Sequence, residues 1–346
     1  MKTTAIYALT PQGARLGKVL AERFDGDIFL PRGLAQEHGA QSFDRLLDQV
    51  VETFPLYRQH VFIAAAGIVV RAIAAHLRSK RVDPAVVVID QRGKHVISLL
   101  SGHLGGANRL AGEVAAITGG VPVITTATDT EGVVSIDLLT EERGLLLSNP
   151  EAVKGVNMAL LRGEAVQVYD PGDWLGLTEH PQRRLFRLLN EEKECDPEKP
   201  AVWVTWETGK QAADRLVLHP PVLVAGVGCN RGTEAREILD LITRTFSQHS
   251  LAVSSIRCVA TIDEKKGEAG LLQASRALDV DLVSFSSADL RNVEVPNPSE
   301  VVMKHMGVES ICEAAALLKS GARRLLVQKT KSGNATLAVA LQSSSS

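Results

Sequence analysis

The chain has 346 residues, with 38 basic against 40 acidic side chains and a formal net charge of −2, so no global field draws it to nucleic acid or an anionic membrane. Hydrophobic residues at 45% and charged residues at 23% exclude disorder as the main state, and the length suits two or three domains of about 100–200 residues. Aromatics at 4% leave few ring faces for stacking bases or sugars.

The opening MKTTAIYALTPQGARLG lacks a long apolar core and a small-residue cleavage pattern, which reads as no secretory signal and a cytoplasmic protein. Thr4–Leu9 predicts a strand, and Thr10 then caps a helix that has Pro11 at its first position, where a missing N–H costs nothing. A helix is expected over Ser42–Val51, then the apolar run His60–Ala66 and the stretch Gly67–Leu77. Strands Ala85–Asp90 and His95–Leu100, a helix Leu104–Ile117 and a strand Val121–Thr125 complete the densest part of the pattern. Beyond Thr128 a helix Glu151–Leu161 and a strand Ala165–Tyr169 follow. The stretch Pro171–Lys199, with its charge run EEKECDPEKP, reads as solvated loop. Strands Ala201–Thr205 and Leu216–His219 lead to Pro220–Pro221, a stiff boundary.

After that boundary a second α/β pattern begins with VLVAGVG, a buried strand entering a glycine turn. A helix Thr233–Phe246 capped by Thr233, strand Ser254–Ala260, helix Glu264–Leu278, strand Asp281–Phe285, helix Ser310–Lys319 and strands Arg324–Gln328 and Ala335–Leu341 follow. The fold expected is α/β in three parts. These are an N-terminal domain with a mostly parallel sheet (1–136), a small variable middle region and linker (137–220) and a C-terminal three-layer α/β/α domain (221–342). The four cysteines form no CxxC pair, which fits free thiols in a reducing compartment.

Chemistry concentrates where strands meet glycine-rich turns. In AAAGIVVR, Gly67 permits a tight bend and Arg71 supplies a fork for a carboxylate. In SGHLGGAN, Ser101, Gly102, His103, Gly105, Gly106 and Asn108 combine permissive backbone, neutral hydrogen-bonding groups and an imidazole that titrates near neutral pH. It is neither a phosphate-binding loop ending in Lys-Ser/Thr nor a dinucleotide Gly-x-Gly-x-x-Gly. In ITTATD, Thr125, Thr126, Thr128 and Asp129 gather at a strand's carboxyl end, and Asp129 is able to orient His103 or bind a substrate hydroxyl. Against each stands a plainer reading: a solvated arginine, a capping histidine, a threonine-rich turn. Between His60 and Leu110 there are seven basic residues, Lys80 among them, and two acidic ones, a local excess of +5 that suits an acidic ligand. In the second half, Gly228, Cys229 and Arg231 line another glycine turn. Cys229 would have its thiol pKa lowered there by a helix start and the arginine, although a buried structural cysteine is the commoner case. Lys265 and Glu268 fall three apart on one expected helix face, Ser299 in VPNPSEVV is a candidate cap, and Lys329 ends a strand with access to a cleft.

Taken together, GIVVRAIAAHL, KRVDPAVVVIDQRGKHVISLLSGHLGGAN, PVITTATD, GVGCNRG, IDEKKGEAGL, VPNPSEVV and GVESICEAAALL resemble the cobalt-precorrin-5A hydrolase family of anaerobic cobalamin (vitamin B12) biosynthesis. The resemblance spans nearly the whole chain and is thinnest between about Asp137 and Pro221. It implies an enzyme, a hydrolase acting on a C–C bond. Such an enzyme opens the δ-lactone joining the ring A acetate to the C20 carbon of a cobalt tetrapyrrole and expels that two-carbon unit as acetaldehyde, giving cobalt-precorrin-5B. It implies no separate cofactor and no protein-bound metal, since cobalt arrives within the substrate. It leaves room for transient contact with neighbouring pathway methyltransferases and for a homodimer, with no nucleic acid and no membrane. On that footing His103 is expected as general base, with the N–H groups of Gly105 and Gly106 as oxyanion donors. Arg71, Lys80 and Arg231 would hold peripheral carboxylates, and Lys265 and Glu268 would close the site. Two other readings are a non-catalytic tetrapyrrole-binding or handover protein and a phosphosugar or nucleotide enzyme.

Overall fold

The computed structural model describes residues 3–79, 82–103, 105–209 and 215–343. It divides into two units, Met1–Leu138 and Leu139–Ser346. Among the described residues no helix is long and apolar enough to cross a membrane.

The first unit runs β1 (Thr4–Ala8), α1 (Pro11–Phe24), β2 (Asp27–Pro31), α2 (Arg32–His38), β3 (Gln41–Phe43), α3 (Leu46–Thr53), β4 (Gln59–Ile63), α4 (Ala66–Ile73), β5 (Ala85–Ile89), β6 (His95–Leu100), α5 (Ala107–Thr118) and β7 (Val121–Val123). Its sheet has the order β3-β2-β1-β4-β5-β6-β7. Every neighbouring pair is parallel except β5–β6. Alternation along each strand feeds two cores. Ile6, Val61, Ile63, Val87 and Ile89 pack towards α1 and α5 on one face, whereas Tyr7, Phe62, Val86 and Val88 pack towards α3 and α4 on the other. Strands covered on both faces read as continuous apolar runs, which is why β1, β4 and β5 were visible in the sequence. At α1, Thr10 Oγ1 accepts from Gly13 N at 3.1 Å, with Pro11 at the first helical position. The helix expected over Ser42–Val51 is corrected to an edge strand, β3, followed by α3. β3 buries only Phe43, too little periodicity to announce a strand. Short helices α6 (Ala127–Thr130) and α7 (Ile136–Glu142) follow β7.

In the second unit, β8 (Leu146–Leu147), α8 (Val153–Leu161), β9 (Val166–Tyr169), β10 (Phe186–Leu189), β11 (Ala201–Val204) and β12 (Arg215–His219) supply a sheet in the order β10-β9-β11-β12-β8. β10 corrects the reading of Pro171–Lys199 as loop throughout, because Phe186 and Leu189 are buried there. Pro220 and Pro221 lie between β12 of this sheet and the first strand of the next. The remaining elements are β13 (Leu223–Cys229), α9 (Ala235–Gln248), β14 (Ile256–Ile262), α10 (Ala269–Ala277), β15 (Asp281–Phe285), α11 (Ser287–Arg291), α12 (Glu300–Met306), α13 (Ile311–Ser320), β16 (Val327–Lys331) and β17 (Ala335–Leu341). Their sheet has the order β15-β14-β13-β17-β16. α9 and α10 cover one face through Leu223, Ala225 and Val227, and α13 covers the other, giving three layers. α13 lies so close to β13 that a Cβ on Gly226 would run into the Cys312 carbonyl and Ala316.

Candidate functional site

The β5–β6 hairpin decides where the His103 turn sits. Because β6 runs against β5, Leu100 at its carboxyl end pairs with Val86 near the start of β5, while Val96 and Ile63 both sit beside Ile89 at the other edge. The turns after β6 and β7 therefore share one edge of the sheet. α4, which carries Gly67 and Arg71, leaves from the opposite edge.

At the shared edge the turns interlock. His103 Nε2 stands 3.0 Å from Asp129 Oδ2 and 3.1 Å from Thr128 Oγ1. Its Nδ1 lies 3.5 Å from Oδ2 of Asp137, a nearly buried carboxylate in the first turn of α7 that Ser135 Oγ also meets. Asn108, at the start of α5, donates from Nδ2 to Thr126 Oγ1 at 2.8 Å and to Asp129 Oδ2 at 3.0 Å. Its own Oδ1 accepts from Ser98 at 2.7 Å. Thr126 Oγ1 donates to Asp129 Oδ2 at 2.6 Å. Asn108 and Thr126 thus hold Asp129, and Asp129 faces the imidazole. Thr125 is exposed beside them. The hydrogen bond to Asp137 is the largest influence on His103 and raises its pKa. Burial opposes this, and the charges of both carboxylates add to the rise.

The glycines of SGHLGGAN let the chain fold onto itself. Ser101 takes a left-handed φ of 59°, its Oγ donates to the Asp83 carbonyl at 2.9 Å, and its own carbonyl accepts from Ala107 N at 3.0 Å. A Cβ on Gly102 would come within 2.7 Å of Asn108 Oδ1, and one on Gly105 would strike Ser101. Gly106, at φ 81°, donates its N–H to the His103 carbonyl at 2.7 Å. That bond corrects the expectation of Gly106 as an oxyanion donor, since its N–H is already taken. An imidazole with a carboxylate at each nitrogen favours its protonated form, and a protonated ring donates rather than accepts.

Arg71 is exposed and returns Nη1 to the Gly67 carbonyl at 2.8 Å, one turn back on α4. Lys80 lies outside the described residues. Arg92 and Lys94, in the β5–β6 turn, are at the edge away from His103, so the local basic excess is not a single patch.

The second constellation lies within Leu139–Ser346. A hollow of about 480 Å³ is lined by Gly228, Cys229, Arg231 and Lys265, with walls from α12, α13 and the β16–β17 hairpin. The helix expected from Glu264 is corrected: a 3₁₀ turn, Asp263–Lys265, precedes α10, and Glu268 is its N-cap position. Lys265 Nζ still meets Glu268 Oε1 at 3.1 Å, and Glu268 Oε2 accepts from Gly232 N at 3.1 Å. These contacts, the Gly232 N–H first, lower the Glu268 pKa. Thr233 does not cap α9. Its Oγ1 donates to the Asn230 carbonyl at 2.9 Å, and Glu234 takes the cap position. Ser299 holds the N-cap position of α12 without a side-chain hydrogen bond there. The Cys229 thiol is pushed up to about 11 by burial, which outweighs the Lys265 charge. Of the two readings weighed for this thiol, burial rather than activation by a helix start and an arginine governs it. A Cβ on Gly228 would come within 2.9 Å of Thr336 Oγ1, so this glycine serves strand packing as well as the hollow.

Sequence reasoning missed Asp137 and the role of Ser98. An acidic residue in a helix's first turn reads as complementing the helix dipole, which hides any second task.

Matches to known proteins fall in three consecutive regions. Family models for the N-terminal, central and C-terminal regions of cobalamin synthesis protein G match residues 48–129, 134–220 and 223–340. The fold and these matches define an α/β protein of cobalamin synthesis. A cobalt-precorrin-5A hydrolase of Priestia megaterium is 34% identical, covering 97% of this chain and 94% of its own length. That of Salmonella typhimurium is 35% identical over 92% of each. CobE, a protein of the cobalamin pathway with a solved structure, aligns with 34% of this chain and 88% of its own at 33% identity and a TM-score of 0.33. The chain belongs to the cobalt-precorrin-5A hydrolase family.

Proposed function

We propose that the protein hydrolyses the ring A acetate δ-lactone of cobalt-precorrin-5A and releases the C20 unit as acetaldehyde, giving cobalt-precorrin-5B. The observation that carries this reading is the match to a cobalt-precorrin-5A hydrolase along 97% of the chain. The His103–Asp129 pair supplies the proton chemistry. Water adds to the lactone carbonyl and gives up a proton to Asp129 Oδ1, the oxygen that the Asn108 and Thr126 hydrogen bonds leave open. Protonated His103 turns its Nε2–H from Asp129 Oδ2 to the departing ring oxygen, so the acyl–oxygen bond breaks to a free acetate and a C20 alcohol. That alcohol then gives its proton to the now neutral His103 and forms a carbonyl. The electron pair of the breaking C20–ring bond passes into the conjugated macrocycle, which takes up the proton held by Asp129 as acetaldehyde leaves.

The curated relatives are named as hydrolases, so a non-catalytic carrier is not favoured. Anaerobic incubation with the lactone substrate tests the reading. Stoichiometric acetaldehyde is the expected result, and tight binding without acetaldehyde would return the protein to a handover role.

A further inference from the structure

The hollow in Leu139–Ser346 has its own chemistry. Arg231, Lys265, Lys329 and Lys331 reach its lining, and no aspartate or glutamate among the described residues does, although Glu268 meets Lys265 Nζ at 3.1 Å and offsets that charge. Val302, Met306 and Ile311 add apolar surface to the lining. A cavity of about 480 Å³ falls in the range of small-molecule sites, roughly 300–1,000 Å³, and this pairing of surfaces suits a flat apolar body fringed with acids.

Two carboxylates outside the lining fix its walls. Glu313, fully buried on α13, accepts from Asn297 N at 3.1 Å, Asn297 Nδ2 at 2.8 Å and Lys329 N at 3.0 Å. Lys329 Nζ in turn donates to the Asn297 carbonyl, so the VPNPSEVV segment is tied to β16 through a buried acid. Glu237 on α9 accepts from Asn334 N at 2.6 Å and from Ser332 Oγ, which sets the β16–β17 turn next to Lys331. Lysine and arginine are thereby offered on a braced frame, which lowers the ordering cost of binding.

We propose that this hollow is a polycarboxylate site that binds the acid-fringed edge of a tetrapyrrole. The ligand's identity rests on the function proposed above; the site itself does not.

Uroporphyrin III, an octacarboxylate, is the probe, titrated into the full chain by fluorescence, with thermal melts as a folding control. The wild type should bind it and bind more weakly as KCl rises. Arg231→Glu and Lys331→Glu, both at exposed positions, should each weaken binding by about tenfold or more, Arg231→Gln and Lys331→Gln by less, and Lys18→Glu, exposed on α1, should leave it unchanged. Wild-type affinity in folded charge-reversal variants, or no binding by the wild type, overturns the site even if acetaldehyde is released. Loss of affinity in those variants, in a protein that releases no acetaldehyde, leaves the site standing and removes the proposed reaction.

Discussion

Asp137 Oδ2 and His103 Nδ1 lie 3.5 Å apart, and with Asp129 at Nε2 the imidazole is held between two carboxylates from separate turns. Replacing Asp137 with Asn removes the larger of the two influences that raise the His103 pKa. If the protonated ring donates to the lactone oxygen, acetaldehyde release falls as pH rises through that pKa. The alkaline limb of the Asp137→Asn profile should then move to lower pH, and an unmoved limb would exclude the donor role. His103→Ala should reduce single-turnover release by at least about 100-fold. The stability linkage has the same sign. A raised pKa gives stabilisation that is complete below the ordinary imidazole value of about 6.5 and lost as pH rises through the folded value.

His60 is the opposite case. It is fully buried between Tyr7, Phe54 and Phe62, and burial pushes its pKa down to about 4. Its stabilisation is present above about pH 6.5 and lost as pH falls towards 4, a swing on the order of 3 kcal/mol. Urea unfolding at pH 7 and pH 4.5 should show His60→Phe less acid-sensitive than the wild type. Equal pH dependence in both would contradict this account.

Cys229 should resist iodoacetamide at pH 7.5, with the rate climbing as pH approaches about 11. Mass spectrometry of the labelled peptide reads this directly. Cys229→Ser should keep acetaldehyde release within a few-fold of wild type, and a large loss would restore the thiol to the mechanism.

Gly226→Ala should destabilise the fold by about 1–3 kcal/mol or more, because the new methyl meets the Cys312 carbonyl, which cannot rotate away. Gly39→Ala, where the space is open and φ is 62°, should cost only its backbone strain, about 1 kcal/mol. Denaturant midpoints for the two variants test the order.

Strands buried on both faces or flanked by clear turns were legible. Asp281–Phe285 and Ala335–Leu341 have the bounds read from the sequence, and Thr10–Pro11 marks its helix start. Marginal elements such as β3 and β10 bury too few side chains to produce a pattern. The meeting of His103 with Asp129 was readable as two turns at strand ends, whereas their hold by Asn108, Thr126 and Asp137 depends on tertiary packing. One signal was present and passed over. Gln91–Lys94 is too short to join parallel strands, which need a crossover of about a dozen residues, so β5 and β6 had to be antiparallel.

That short link has a consequence beyond its own loop. Asp90 accepts from the N–H groups of Arg92 and His95, and Gly93 takes φ 74°, which together turn the chain back on itself. The reversal sends the imidazole to the rim where β1, β4 and β5 begin. The position of the His103 cluster is thus set about one strand length away, in the β5–β6 bend. Remodelling that bend would relocate the cluster without altering a single residue in it.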